Sequence, residues 1–177
     1  MMKRLRSISL MVTLAALTVP MFGRSNQPVG DLSDAVRHQL VMLPYYNVFD
    51  DLSFNVNGGV VTLSGAVVRP VLKSDAESAV KHLPGVTQVI NNIEVLPLSS
   101  FDSRIRREEY RAIFGFGGLY RYAMGVNPSI HIIVDNGHVT LVGVVSRQGD
   151  KDMANIRANG APGVFSVTNE LRVVEGS

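Results

Sequence analysis

Hydrophobic and polar residues recur along the chain in an order typical of one helix followed by a hairpin of two strands. An apolar stripe at helical spacing comes first and ends before Pro44. Its members are Leu32, Val36, Leu40 and Leu43. Residues 52–57 then alternate with a period of two, and the Asn57-Gly58-Gly59 sequence favours a tight turn. The pattern predicts a helix and then a β-hairpin.

The return strand of this hairpin, residues 60–68, is the most apolar stretch of the first half. Its predicted core face carries Val61, Leu63, Gly65 and Val67. A second helix is predicted over 75–83, with Leu72 one turn earlier and Pro84-Gly85 at its end. A third strand is predicted over 86–96. The resulting unit is helix, strand, strand, helix, strand.

The unit occurs twice. Adding 78 to a residue number carries 59–95 onto 137–173 without a gap, and 15 of these 37 positions are identical. Chance at average residue usage would give roughly two or three identities. The predicted fold is therefore α+β with two tandem modules, each a three-stranded mixed sheet covered by helices on one face.

The second copy departs from the first in its helices. Gly115, Gly117 and Gly118 interrupt its first helix, and Gly149 and Gly160 are expected to weaken its second. The first copy is predicted to be the more regular scaffold. Divergence toward a particular contact is therefore expected in the second.

Two pairs of matching residues have predicted structural roles. Gly65 and Gly143 lie in mid-strand, where glycine indicates a close neighbour, expected to be a covering helix, or a bend in the strand. Asn91 and Asn169 are expected to bond to nearby backbone from half-buried positions. Neither pair indicates a catalytic or ligand-binding role.

Four segments resemble the BON domain, a small bacterial envelope module. They are VVTLSGAV, HVTLVGVV, PGVTQVINNIEV and PGVFSVTNELRV, and the resemblance covers residues 31–175 as two copies. It implies an α+β sandwich for each copy. It also implies a non-enzymatic protein that attaches to phospholipid surfaces or to envelope partners.

The N-terminus has the layout of an export signal. A basic head, Met1 to Arg6, precedes an apolar run that is shorter than a spanning helix needs. The predicted division is a signal peptide over 1–23, a linker over 24–30, and modules over 31–98 and 99–177. An uncleaved N-terminal anchor is the alternative. The predicted location is the periplasm or cell envelope, and the absence of Cys excludes disulfides and lipidation at cysteine.

Charge and motif content argue against several function classes. After cleavage at Gly23, 14 basic residues face 15 acidic ones, so nucleic-acid binding is not expected. The four histidines have no metal-site spacing, and no nucleophile or nucleotide-loop motif is present. His131 is expected to face solvent, and Glu108 and Glu109 to lie on a solvated helix face. No enzymatic activity, cofactor or small-molecule substrate is predicted.

Residues 104–122 interleave cations with aromatic and apolar groups, as a membrane-surface element does. Five arginines face two glutamates there, a local charge of +3. The predicted contacts with an anionic phospholipid membrane are Arg107, Arg111, Phe114, Phe116, Leu119, Tyr120 and Arg121. In the alternative interpretation, Tyr110, Ile113, Phe114 and Leu119 are the core stripe of the broken helix.

A second candidate surface lies on the sheet face opposite the core. Ile133, Val142 and Val144 of the second copy form an apolar group there, whereas the first copy has Ser64 and Ala66 in its return strand. This patch is predicted to contact an envelope protein, a second protomer or the first module. The sequence does not indicate an oligomeric state.

Overall fold

The computed structural model describes residues 29–115, 117–125 and 127–174, which form two modules of the same build. The first contains α1 (Val29–Val41), β1 (Asp51–Asn57), β2 (Val60–Val67), α2 (Pro70–Lys81), β3 (Gln88–Asn91) and β4 (Glu94–Val95). The second contains α3 (Ser100–Phe114), a 3₁₀ helix (Gly117–Ala123), β5 (Ile130–Asp135), β6 (His138–Val145), α4 (Gln148–Asn159), β7 (Ser166–Asn169) and β8 (Arg172–Val173).

Each module has a mixed sheet with the glycine-centred strand at its centre. β2 pairs antiparallel with β1 and parallel with both β3 and β4. β6 has the same relations to β5, β7 and β8. The predicted α+β fold is confirmed, and the predicted third strand is present as two short pieces.

The break in the third strand has a side-chain cause. Asn91 Nδ2 donates to Lys73 O at 2.9 Å, and its Oδ1 accepts from Ile93 N at 3.2 Å. Asn169 makes the matching bonds to Lys151 O and Leu171 N at 3.0 and 3.1 Å. The predicted bonding of both asparagines to backbone is confirmed, and each one ties its strand to the preceding helix.

Gly65 and Gly143 are close to strand backbone. A Cβ at Gly65 would lie 2.3 Å from Asp51 O, and one at Gly143 would lie 2.1 Å from Ser129 O. Both residues have positive φ, 108° and 123°, which L side chains rarely adopt. The expectation of a covering helix as the close neighbour is therefore wrong. The close neighbour is the backbone at the start of the antiparallel partner strand.

The helical layers differ from the predictions in α2 and α4. α2 begins at Pro70, five residues before the predicted start, because proline is well suited to the first turn. α4 keeps 12 residues although Gly149 lies in its first turn. It ends at Gly160, where a glycine cap does not weaken the helix. The predicted interruption of α3 is present, since a separate 3₁₀ helix follows it.

Each module has its own apolar core, but the second also includes a residue of the first. The first core is built from α1, α2 and the sheet, with Leu32, Val36 and Leu40 contributed by α1. Val48, which precedes β1, belongs to the second core. Its carbonyl oxygen accepts a hydrogen bond from Ile132 N at 2.8 Å, so this loop extends the edge of β5. The junction between the modules is thus continuous with the second core.

The predicted export signal and residues 24–28 of the predicted linker lie outside the described residues. Val29 and Gly30, also assigned to the linker, begin α1. Within the described parts of the chain, no helix is both long and apolar enough to cross a membrane.

Candidate interaction surface

The helix α3 is fixed to the rest of the second module at its N-terminus. Ser99 caps it by accepting a hydrogen bond from Asp102 N at 3.1 Å. The carboxylate of Asp102 is fully buried and accepts from Asn136 N at 3.1 Å and Gly137 N at 2.8 Å. One acidic side chain therefore connects the start of the helix with the turn of the second hairpin.

The buried face of α3 contains charged groups among its apolar residues. Ile105 and Ile113 are fully buried, and between them lie Arg106, 5% exposed, and Glu109, 0% exposed. Arg106 Nη2 donates to Val134 O at 2.6 Å, whereas its Nε has no partner among the described residues. Burial lowers the pKa of Arg106, and the nearby carboxylates of Asp102, Asp50 and Asp135 oppose this effect.

The carboxyl group of Glu109 is more isolated from polar partners than the guanidinium group of Arg106. Neither carboxylate oxygen has a hydrogen-bond partner within the described part of the chain, and burial raises its pKa to about 8. The side chain is therefore mostly protonated at neutral pH. The expectation that Glu109 lies on a solvated face is wrong, because the helix turns this position into the core.

The exposed face of α3 carries Arg104, Arg107 and Arg111 at positions i, i+3 and i+7, which we call the cationic row. Arg111 pairs with Glu108 at 2.8 Å. The guanidinium of Arg104 lies over the Phe101 ring, 5.4 Å from its centroid. The row thus gives one surface of the module a net excess of positive charge.

Two of the predicted membrane contacts are not on the surface. Phe114 and Leu119 are each 3% exposed and belong to the second core. The prediction is wrong for both, and the alternative assignment to the core is confirmed for Ile113, Phe114 and Leu119. Phe114 lies on the buried side of α3, and the 3₁₀ helix that follows packs against α3 and buries Leu119. Tyr120 is 58% exposed, and Tyr110, assigned to the core in the alternative interpretation, is 40% exposed. Phe116 lies outside the described residues.

Arg121 is exposed but engaged in an ion pair. Its Nη2 donates to Asp150 at 2.5 Å and to the Tyr122 hydroxyl at 3.0 Å. Tyr122 itself donates to Asp150 at 2.8 Å and accepts from Ser146 N at 2.9 Å. These bonds attach the 3₁₀ helix to the start of α4, so Arg121 contributes less free charge than Arg107.

The second predicted surface, on the open face of the β5–β6 sheet, is partly covered. Ile133, Val142 and Val144 are half-buried. His131, on the same face, is 8% exposed because the Tyr46 ring of the first module lies over it with centroids 5.5 Å apart. The expectation that His131 faces solvent is therefore wrong. One end of this face is therefore covered by Tyr46 of the first module.

The exposed side of α3 includes two residues that the predicted set of membrane contacts left out. Arg104 and Tyr110 belong to the exposed side of α3, although neither was selected as a membrane contact. The spacing of Arg104, Arg107 and Arg111 could have identified the row, because it places all three on one helical face. Among the described residues, no group of His, Asp and Glu is arranged to hold a metal ion.

Comparisons with known proteins agree with the repeated fold. The BON domain model matches residues 29–97 and 123–175. Osmotically-inducible protein Y of Escherichia coli (strain K12) is 29% identical over 133 residues, which cover 69% of this chain and 61% of that protein. The segment between the two matched ranges, 98–122, contains α3 and therefore the cationic row.

Two solved structures resemble the chain at low identity. Both are of CdsD, a structural protein of the type III secretion system of Chlamydia trachomatis. The first is 15% identical, with a TM-score of 0.33, and covers 83% of this chain and 94% of that one. The second, a C-terminal domain, is 16% identical, with a TM-score of 0.30, and covers 81% and 98%.

Proposed function

Because this chain belongs to the BON domain family, we propose that it is an exported, non-enzymatic interaction module that attaches reversibly to anionic phospholipid surfaces of the cell envelope. The basic and apolar N-terminal segment supports export to the periplasm or envelope. The similarity to an osmotically inducible protein supports a role in envelope integrity or stress tolerance.

The cationic row is the observation that carries the proposal. Arg104, Arg107 and Arg111 share one exposed helical face, and only Glu108 among the acidic residues of that helix is paired with them. A cation near an anionic leaflet contributes roughly 1 kcal/mol. The three arginines are therefore sufficient for weak attachment that can be reversed.

The exposed tyrosines add a smaller contribution. Tyr110 and Tyr120 have an apolar ring and a polar hydroxyl, a combination that suits the membrane–water interface. Since Phe114 and Leu119 are in the core, electrostatic attraction provides most of the binding. The attachment should consequently weaken as ionic strength rises.

Vesicle co-sedimentation with the full chain tests this function. The wild type should bind vesicles that contain phosphatidylglycerol, bind those of phosphatidylcholine alone much less, and dissociate at high salt. The combined variant Arg104→Gln, Arg107→Gln and Arg111→Gln should lose most of the binding. Its matched control is Arg37→Gln, Lys81→Gln and Arg147→Gln, which removes the same charge from exposed residues elsewhere. Equal loss in both variants, or no binding by the wild type, would contradict the proposal.

A protein-binding adaptor is the second candidate function. It would use Ile133, Val142 and Val144, which remain half-buried on the open face of the second sheet. Binding of this kind would depend little on salt and would not require phosphatidylglycerol. Val142→Asp should then abolish recovery of an envelope partner and leave vesicle binding intact, whereas unchanged recovery would exclude the patch as its docking site.

A further inference from the structure

One end of the second module carries three rings that are partly or largely exposed to solvent. Phe165 is 68% exposed. Its ring lies 5.5 Å from that of Phe101 and 5.9 Å from that of His138, measured between centroids. We call Phe101, His138 and Phe165 the aromatic cluster.

The exposed position of Phe165 is fixed by its surroundings. Its backbone N–H donates to Gly137 O at 2.9 Å. A Cβ at Gly137 would lie 2.7 Å from the Phe165 ring and 3.1 Å from the Phe101 ring, so the glycine provides the space that both rings occupy. His138 is held beside them by a 2.7 Å hydrogen bond between its Nδ1 and Ser166 Oγ. The cluster is therefore a defined surface.

The first module shows that the fold does not require these rings. Thr87 holds the position that matches Phe165, and its N–H makes the same bond, to Gly59 O, at 2.8 Å. Val60 stands in the place of His138. The same backbone thus forms with a short polar side chain, and the exposed phenyl ring of the second module has no evident structural purpose at the turn.

The aromatic cluster adjoins the cationic row. Arg104, the first member of the row, lies over Phe101, which in turn contacts Phe165. The nearby carboxylate of Asp102 is buried and bonded to two backbone N–H groups, so it adds little negative character to the surface. An exposed phenyl ring beside guanidinium groups complements an anionic headgroup layer with hydrocarbon beneath it.

We propose that Phe165 is the apolar insertion point of the second module, which enters an anionic bilayer at the headgroup level while the cationic row holds the lipid phosphates. This inference rests on the proposed function and adds to it an orientation. The start of α3 and the Phe165 loop face the lipid. The apolar contribution comes from outside the segment that sequence reasoning selected.

Single tryptophan substitutions test the insertion directly, because the chain contains no Trp of its own. In Phe165→Trp, the fluorescence should shift to shorter wavelength with phosphatidylglycerol vesicles, and lipids brominated on their acyl chains should quench it. Ile156→Trp is the matched control because Ile156 is 64% exposed on α4 of the same module. Its fluorescence should change little. Vesicle binding by both variants without a shift at position 165 would overturn the inference and leave the proposed function standing.

A second variant distinguishes membrane insertion from a contact between copies of the chain. Phe165→Thr copies the first module and should fold normally, yet it should reduce affinity for the same vesicles at low salt by about tenfold. Ile156→Thr should have no such effect. If Phe165→Thr instead changed the oligomeric state in the absence of lipid, the cluster would be a contact between copies of the chain, and the inference would be wrong.

Discussion

The first helices of the two modules cover matching sheets with different buried faces. In α1, Leu32, Val36 and Leu40 follow one another at intervals of four and are all buried. In α3, Ile105, Glu109 and Ile113 have the same spacing and the same burial. Glu109 thus takes the place of Val36 in the stripe. The second module has a carboxyl group where the first has the apolar side chain of valine.

The cores differ in a second respect. All members of the first core lie between Leu32 and Ile93, within the first module. The second core includes Val48 from the first module, and Phe49 packs against it. The first module thus completes its own core, whereas the second also uses the loop that precedes β1.

This comparison shows which part of the repeat specifies the fold. The hairpin, its central glycine and the asparagine that divides the third strand are retained in both copies with the same bonds. The first helix of the second copy has the ionisable side chains of Arg106 and Glu109 on its buried face. This helix, α3, lies outside the matched family ranges. Its exposed face carries the cationic row, so its divergence from α1 concerns the proposed contact surface as well as stability.

The largest effect is expected when the carboxyl group of the second module is placed in the first. Val36→Glu would bury an acid at a fully buried position with no partner provided for it. We expect a loss of about 3 to 5 kcal/mol in the free energy of unfolding at neutral pH. Urea unfolding measures the loss, and hydrogen exchange should show it in α1 and α2.

The control for this change is Arg37→Glu, one residue further along α1 and exposed. It should change stability by less than about 0.5 kcal/mol. If Val36→Glu were no more costly than Arg37→Glu, the buried faces of α1 and α3 would be equivalent in their tolerance of charge. The comparison between the modules would then lose its energetic basis.

The second prediction concerns pH and Glu109. Burial raises its pKa from 4.5 to about 8, so between these values the folded state holds a proton that the unfolded state has released. Stability should therefore fall as pH rises through this window, by a few kcal/mol in total, and level off above it. Glu109→Gln should match the wild type near pH 4 and exceed it in stability near pH 9.

Urea unfolding across this pH range isolates the contribution of Glu109. Burial also raises the pKa of Asp50 and of Asp51, but both remain in the variant and affect the two curves alike. The difference between the curves therefore belongs to position 109. Parallel curves would indicate that the folded chain gives Glu109 a cationic partner or access to water.

The repeat made the strands predictable. Alternation and turn residues fixed the hairpins, and both turns adopt the positive φ values that Gly58, Gly59, Asn136 and Gly137 allow. The roles of Asn91 and Asn169 followed from their matching positions on a half-buried face. These features are local, so the sequence around each residue contains the physical information that determines it.

Features that depend on distant packing were not predictable. His131 is covered by Tyr46 of the other module. For Phe114 and Leu119 the sequence allowed both a surface and a core assignment, and the packing of the chain after α3 decides for the core. Glu109 entered the core although acids normally lie at the surface. Each outcome depends on how two elements separated in the chain meet, which the spacing of residues within one element does not encode.

The smallest predicted effect tests the shared core. Val48→Ala removes two methyl groups from a side chain that is 7% exposed and packs in the second core. The expected loss is about 1 to 2 kcal/mol. Hydrogen exchange should accelerate in α3 and β5 rather than in α2 and β2, although Val48 precedes the first hairpin. Val71→Ala, at a site 43% exposed on α2, should change neither pattern. If exchange instead accelerated in α2 and β2, Val48 would stabilise its own module, and the second core would be as self-contained as the first.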